Sequence, residues 1–273
     1  MLAKIIGMIG AGRMATALAR GFVRAQLVDA SSLIASDPSA DARAAFDREV
    51  PGAQVVDDNA EVVSTADVIL LAVKPQQMTA VLAAIRDAIR AEALVVSIAA
   101  GVTLARLADG LPRGQRIIRV MPNTPCLVGR GASAYSLGRN ATADDGRLVA
   151  QLLFAVGVAY EVAEDQLDAV TGLSGSGPAF VYTMIEQLQE GGVRVGLPAE
   201  LAAELAVRTV AGAAEMVLVT GEPPAELRDR VTSPGGTTLA GLKALEDGGF
   251  HAAVIGAVEA ATRRSAELGR LPS

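Results

Sequence analysis

The chain has no Trp, one His, one Cys and only 3% aromatic residues. A single thiol excludes an intrachain disulfide, and one His beside one Cys makes a Cys/His zinc site implausible. No metal site is expected, and an unpaired thiol fits a reducing cytoplasm. Packing has to rest on Ala, Val, Leu and Ile. Basic excess is also missing: the formal net charge is −6, whereas a nucleic-acid surface needs a cationic face to displace phosphate counterions. Long apolar runs are absent too. Val68–Val73 and Leu94–Ala100 have strand length and fall far short of a membrane span, and glycines break the run after Lys4 before it can serve as a secretory signal. These absences point to a soluble cytoplasmic protein with no nucleic-acid or membrane partner. At 273 residues, there is room for two domains and a sizeable core.

Up to about Leu127 the sequence alternates short apolar runs with amphipathic stretches. The runs are Ile5–Ile9, Ser32–Ser36, Gln54–Val56, Val68–Val73, Leu94–Ala99 and Ile117–Val120; Arg13–Gln26, Ala40–Arg48 and Gln76–Ala91 have helical spacing between them. Uninterrupted apolar strands separated by helices are what a parallel sheet covered on both faces requires. Gly131–Ser136 and Val158–Val162 are two further strands, with Ala143–Phe154 helical between them. Beyond Asp165 the period becomes helical throughout: Pro178–Val195, Pro198–Val219, Glu222–Val231, Thr237–Asp247 and Ala252–Leu268. Pro178 and Pro198 suit first helical turns, and Gly196 suits a helix end. Leu201–Val219 is apolar on more than one face, which a small helical domain cannot bury alone, so these helices are expected to form an oligomer interface. The expected architecture is α/β: a Rossmann-type parallel sheet over residues 1–164, then an all-helical substrate-binding and dimerisation domain over 165–273.

The first strand ends at Ile9 and runs into Gly10-Ala11-Gly12-Arg13-Met14-Ala15. Its glycines permit a tight turn and close approach to a pyrophosphate, and Ala15 lets the helix pack on the strand. The phosphates meet the positive end of that helix. Taken alone the motif is weak; after a strand, before a helix and at the head of a βαβ pattern it has the required context. The second strand ends in Ser36-Asp37-Pro38-Ser39. An acid there binds a ribose 2′-hydroxyl and repels a 2′-phosphate. The alternative is that Asp37 only starts a turn, leaving Ser36, Ser39 and Arg43 to meet a 2′-phosphate. The residues leave both readings open.

Four further segments, in this order and spacing, resemble the pyrroline-5-carboxylate reductase family and span nearly the whole chain: Ala72-Val73-Lys74-Pro75, Ser97-Ile98-Ala99-Ala100-Gly101, Met121-Pro122-Asn123-Thr124-Pro125 and Val231-Thr232-Ser233-Pro234-Gly235-Gly236-Thr237-Thr238. Gly172–Pro178 resembles the start of that family's helical domain. The resemblance implies reduction of L-1-pyrroline-5-carboxylate to L-proline, the last step of proline biosynthesis, by a homodimer or a ring of dimers. It favours NADPH, with NADH possible. By the same resemblance Asn59 lies near the adenosine ribose, Ala72, Val73, Lys74, Pro75 and Ala99 flank the cofactor, and Asn123 and Thr124 line the nicotinamide end. Lys74 has a rival reading as a catalytic lysine, as in β-hydroxyacid dehydrogenases.

On residues alone, Ser233–Thr238 is a turn between helices with Thr237 capping the next one; equally, backbone N–H groups at that helix start bind a carboxylate without a cation. The resemblance favours the second reading: Ser233, Gly235, Gly236 and Thr237 hold the carboxylate, the catalytic Thr238 faces the ring nitrogen, and the loop reaches a partner subunit's nicotinamide. Rival functions are a β-hydroxyacid or imine dehydrogenase of similar architecture and a non-catalytic dinucleotide-binding regulator. His251 is expected to be a surface or packing residue, and Cys126 a small apolar one.

Overall fold

A computed structural model of the chain describes residues 2–270. The order is β1 (Ile6–Ile9), α1 (Arg13–Arg24), β2 (Leu33–Ser36), α2 (Ala40–Glu49), β3 (Gln54–Val56), α3 (Asn59–Thr65), β4 (Val68–Leu71), α4 (Met78–Ile85), β5 (Leu94–Ser97), α5 (Leu104–Gly110), β6 (Arg116–Met121), β7 (Gly131–Leu137), α6 (Ala143–Phe154), β8 (Gly157–Glu161) and α7 (Leu167–Val170), followed by α8 (Gly177–Arg194), α9 (Ala199–Thr220), α10 (Pro224–Arg230), α11 (Thr237–Asp247) and α12 (Phe250–Arg270). The eight strands form one sheet ordered β3-β2-β1-β4-β5-β6-β7-β8. Its first six strands carry the doubly wound 3-2-1-4-5-6 order, with the switch point between β1 and β4.

The period-two pattern of the strands sorts the core into two layers. Ile6, Met8, Val68, Leu70, Leu94, Val96, Ile118 and Val120 face α1, α2 and α6, where Leu18, Phe22, Phe46, Val149 and Leu152 meet them. Ile9, Ile69, Leu71, Val95 and Ile117 face Val62, Val63, Met78, Leu82, Ile85 and Leu107 on α3, α4 and α5. Both faces are covered, which is why these strands read as unbroken apolar runs.

All strand pairs are parallel except β6–β7. The stretch 122–130 between β6 and β7 holds only a short 3-10 turn (Thr124–Val128); without a crossover helix it can only reverse the chain. The β7–β8 connection contains α6, so that pair returns to parallel.

The chain divides into two compact units. One comprises residues up to Ser176 together with those from Ala260 onward; the other is Gly177–Glu259. Compactness therefore divides the chain at Ser176 rather than at residue 164, and places the end of α12 with the sheet. In the helical unit α8 ends as Gly196 suggests: Gly196 has φ 104°, and the Leu197 N–H donates to the Gly192 carbonyl at 3.0 Å, a Schellman closure. Gly192 also lets α9 come close, because a Cβ there would stand 3.1 Å from that of Ala202. Ala202 and Ala206 are the only buried hydrophobics described in this unit, while Leu218 and Val219 are each 74% exposed.

Three short helices escape the sequence reading. α3 and α5, seven residues each, are too brief to show a period, and their only signals are caps: Asp58 accepts from the Ala60 N–H and Thr103 from the Arg106 N–H. α7 leads into a π-helical turn, Thr171–Gly175. Among the described residues no helix is long and apolar enough to cross a membrane.

Candidate active site

The carboxyl ends of the parallel strands form one groove along the sheet edge. Its first part, about 560 Å³, is lined by Ile9, Gly10, Gly12, Asp37, Asn59 and the Ala72–Lys74 segment among others. A second part of about 250 Å³ shares Ala72 and Val73 with it and continues past Met14, Ile98, Met121, Pro122, Asn123, Thr124 and Gly175. The two parts meet over the end of β4, beside the switch point where open α/β sheets bind ligands.

Gly10 has φ 97°, and a Cβ there would lie 2.9 Å from the Ala72 carbonyl oxygen. Only glycine allows this turn against β4. Gly12 is the N-cap of α1 and has no side-chain cap, so the first-turn amides are left to a ligand. Nothing lies within 4 Å of a Cβ placed on Gly12, which leaves the room a pyrophosphate needs. Arg13 is exposed, Met14 half-buried at the second part of the groove, and Ala11 and Ala15 are buried.

Asp37 serves the loop rather than standing free. Its Oδ2 accepts from the Ala11 N–H at 3.0 Å and its Oδ1 from the Ser39 N–H at 2.9 Å. The Arg43 Nη1 donates to the carbonyls of Asp37 (2.7 Å) and Pro38 (3.2 Å), which fixes a guanidinium at the turn where a 2′-phosphate would lie. Ser36 differs from its expected role. It is buried and donates to the Asn59 Oδ1 at 2.7 Å, so it orients Asn59, whose Nδ2 donors bond nothing else among the described residues. Ser39 is spent on capping α2, accepting from the Ala42 N–H.

Lys74 is exposed and lines the first part of the groove with Gln76 and Gln77; the second part, where Asn123 and Thr124 lie, does not include it. Pro75 opens the 3-10 turn after β4. Ala99 is buried in the core, and its neighbour Ile98 lines the groove instead. Asn123, 8% exposed, holds the loop after β6: its Nδ2 donates to the Ser174 carbonyl (3.2 Å) and Oγ (3.1 Å), and its Oδ1 accepts from the Ala132 N–H (2.9 Å). The Ser174 hydroxyl donates in turn to the Ala132 carbonyl at 2.8 Å. Sequence reasoning named Asn123 but not these two partners; the Ser174 position lay in the quoted Gly172–Pro178 motif, without a role.

The Ser233–Thr238 segment lies in the helical unit. Gly236 N–H donates to the Ser233 carbonyl at 3.0 Å and Gly235 has φ 72°; with Pro234 before it, this is a type II turn. The N-cap of α11 is Gly236, with no side-chain cap, and Thr237 is the first helical residue. The expected Thr237 cap is thereby corrected: a hydroxyl one residue inside the helix makes no cap bond here, and the amides of the first turn remain open. Thr238 is half-buried and its hydroxyl has no hydrogen bond among the described residues. His251 is exposed beside Phe250. Cys126 is buried, and desolvation pushes its thiol pKa up.

Comparison with known proteins is consistent along the whole chain. Residues 164–268 match the family model described as pyrroline-5-carboxylate reductase dimerisation, and residues 5–101 that described as NADP oxidoreductase, coenzyme F420-dependent. The chain is 45% identical over 265 residues to a pyrroline-5-carboxylate reductase of Methanosarcina acetivorans, covering 97% of this chain and 98% of that one. It is 47% identical over 264 residues to one of Glycine max, covering 96% and 95%. Among solved structures, the Plasmodium falciparum pyrroline carboxylate reductase with NADP bound superposes with TM-score 0.89 at 34% identity, covering 98% of this chain and 99% of that one. The Coxiella burnetii pyrroline-5-carboxylate reductase gives 0.90 at 36%, covering 99% and 100%. The chain belongs to the pyrroline-5-carboxylate reductase family.

Proposed function

We propose that this chain reduces L-1-pyrroline-5-carboxylate to L-proline, with NADPH as preferred and NADH as possible hydride source. The observation that carries the reading is the Ser233–Thr238 turn. It offers open backbone amides at a helix start and an unengaged Thr238 hydroxyl, an anion-binding set with no cation in it, within a family named for a carboxylate-bearing imine. The glycine loop and groove fit a dinucleotide, and NADPH when bound supplies the hydride. The Gly12 cap and α1 amides hold the pyrophosphate, Asn59 meets the adenosine ribose, and the Arg43 guanidinium favours the 2′-phosphate. Ala72–Pro75 flank the dinucleotide, and the knot of Asn123 and Ser174 sets the shape of the nicotinamide end.

On the substrate side, the amides of Gly235, Thr237 and Thr238, with Ser233, hold the carboxylate, while the Gly236 N–H closes the turn on the Ser233 carbonyl. The Thr238 hydroxyl orients the ring nitrogen. A protonated cyclic imine is already electrophilic at its reacting carbon, so the chain has to supply orientation and exclude water more than to supply a strong acid. The sheet unit up to Ser176 serves the dinucleotide and the helical unit Gly177–Glu259 serves substrate and assembly, as a homodimer or a ring of dimers in the cytoplasm, with no nucleic-acid partner. Purified protein should oxidise NADPH on addition of pyrroline-5-carboxylate and remain inert with β-hydroxyacids or their keto forms. Turnover only with the latter would replace this reading by the β-hydroxyacid dehydrogenase one, and binding of NADPH without turnover on any of them would leave a regulator.

A further inference from the structure

On β6 a buried Arg119 meets two partly exposed carboxylates, a charged cluster that the reaction as described does not use. Arg119, 4% exposed, stands two residues before Met121, which with Pro122 lines the nicotinamide end of the groove. Its Nη1 lies 3.3 Å from Glu164 Oε1 and its Nη2 3.5 Å from Asp168 Oδ1. Each carboxylate oxygen has a second partner. Glu164 Oε1 accepts from the Leu104 N–H at 2.6 Å, at the start of α5, and Asp168 Oδ1 accepts from the Ser265 hydroxyl at 2.7 Å. Ser265 is on α12 and only 3% exposed. One helical turn further on, Leu268 and Gly269 meet the loop after β5: a Cβ on Gly101 would stand 3.2 Å from that of Leu268, and one on Gly269 would stand 3.2 Å from the Gly101 carbonyl oxygen.

A buried guanidinium paired with two carboxylates is weak evidence for stability, because its own desolvation offsets much of the attraction. It is better evidence for fixing geometry. Here it joins the strand that leads into Met121–Thr124, the turn at Glu164, the start of α5 and the end of α12. The end of α12 also seats on the Ile98–Gly101 loop, so both loops that shape the nicotinamide end are braced by the same helix end.

We infer that Arg119 is a positioning residue and that the 260–270 end of α12, held through Ser265 and Leu268, sets the nicotinamide end of the cofactor groove. This rests on the dinucleotide reading above and adds to it a segment that sequence had given to the helical domain. The adenosine end, at Gly10–Gly12, Asp37, Arg43 and Asn59, lies on other strands and is untouched by the cluster.

The test compares two ligands on the full-length protein by titration calorimetry: NADPH, which uses both ends of the groove, and 2′,5′-ADP, which uses only the adenosine end. Ser265→Ala should weaken NADPH and lower kcat by about fivefold to tenfold, the effect of one charge-assisted bond, and leave 2′,5′-ADP within about twofold. Arg119→Lys, which keeps the charge, should recover part of what Arg119→Met loses. Equal weakening of both ligands alongside a lower Tm would reduce the cluster to general stability and overturn the inference, as would unchanged binding and kcat in all variants. Wild-type protein that bound neither ligand would sink the dinucleotide reading itself and the inference with it.

Discussion

Single side chains carry the sharpest expectations. Thr238→Ala keeps the loop backbone and removes one hydroxyl that has no partner among the described residues. Ligand binding through the carboxylate amides should persist, whereas kcat/KM should fall by roughly tenfold to a hundredfold, or about 1.5–3 kcal/mol. Unchanged kinetics would return the loop to a plain turn. Thr237→Ala is the matched control. Because Gly236 is the N-cap, its stability should stay within about 0.5 kcal/mol of wild type, as for surface changes generally. At the cofactor, Arg43→Ala should reduce kcat/KM with NADPH by about tenfold or more and with NADH far less, since only the former has a 2′-phosphate to lose an ionic hydrogen bond. Equal losses with both would take Arg43 out of discrimination. Cys126 should be silent in the native state. Burial raises its pKa, so at about pH 8, close to the ordinary thiol pKa of about 8.5, it stays protonated and out of reach, and a thiol reagent should label it only on unfolding. Fast labelling of folded protein would contradict the burial.

At the scale of elements, the strand-turn-helix around Gly10 is the most exposed to a single change. Gly10→Ala adds a Cβ against the Ala72 carbonyl at a positive φ. NADPH affinity should drop at least about tenfold and Tm should fall, because the change combines a backbone clash with left-handed strain. Retained affinity would show the turn to be softer than its geometry. The strands were legible because both faces of the sheet are covered, so Val68–Leu71 and residues 94–96 had to be apolar at every position. Long helices were legible by period, and Gly196 and Thr237 marked boundaries correctly. What escaped had no local signal. The reversal of β7 follows from the brevity of one connection, α3, α5 and α7 are too short to repeat a pattern, and the tie from Ser265 to Asp168 spans 97 positions of sequence. The site divides the same way. Gly10, Ala72 and Asn123 stood in motifs and Asn59 came from the family resemblance, while the turning of Ser36 towards Asn59 and the replacement of Ala99 by Ile98 in the groove depend on which way a side chain points at a strand end.

For the whole molecule, the helical unit states its own requirement. Leu188, Leu201, Leu205, Val207, Met216, Leu218 and Val219 are exposed on α8 and α9, and each forgoes a share, roughly half or more, of the about 1.5–3 kcal/mol that full burial of such a side chain contributes. Residues 164–268 match a dimerisation model, so a second copy is the natural cover. Light scattering at micromolar concentration should find no folded monomer, and a stable, active monomer would contradict both the interface and a site shared between subunits. The central claim is hydride delivery to the ring of a cyclic imine acid, and isotope transfer tests it most directly. With NADPH carrying deuterium at the transferable C4 position, turnover of pyrroline-5-carboxylate should give proline with one deuterium at ring carbon 5, read by mass spectrometry and proton NMR. Proline without the label, or consumption of NADPH with no proline formed, would contradict it.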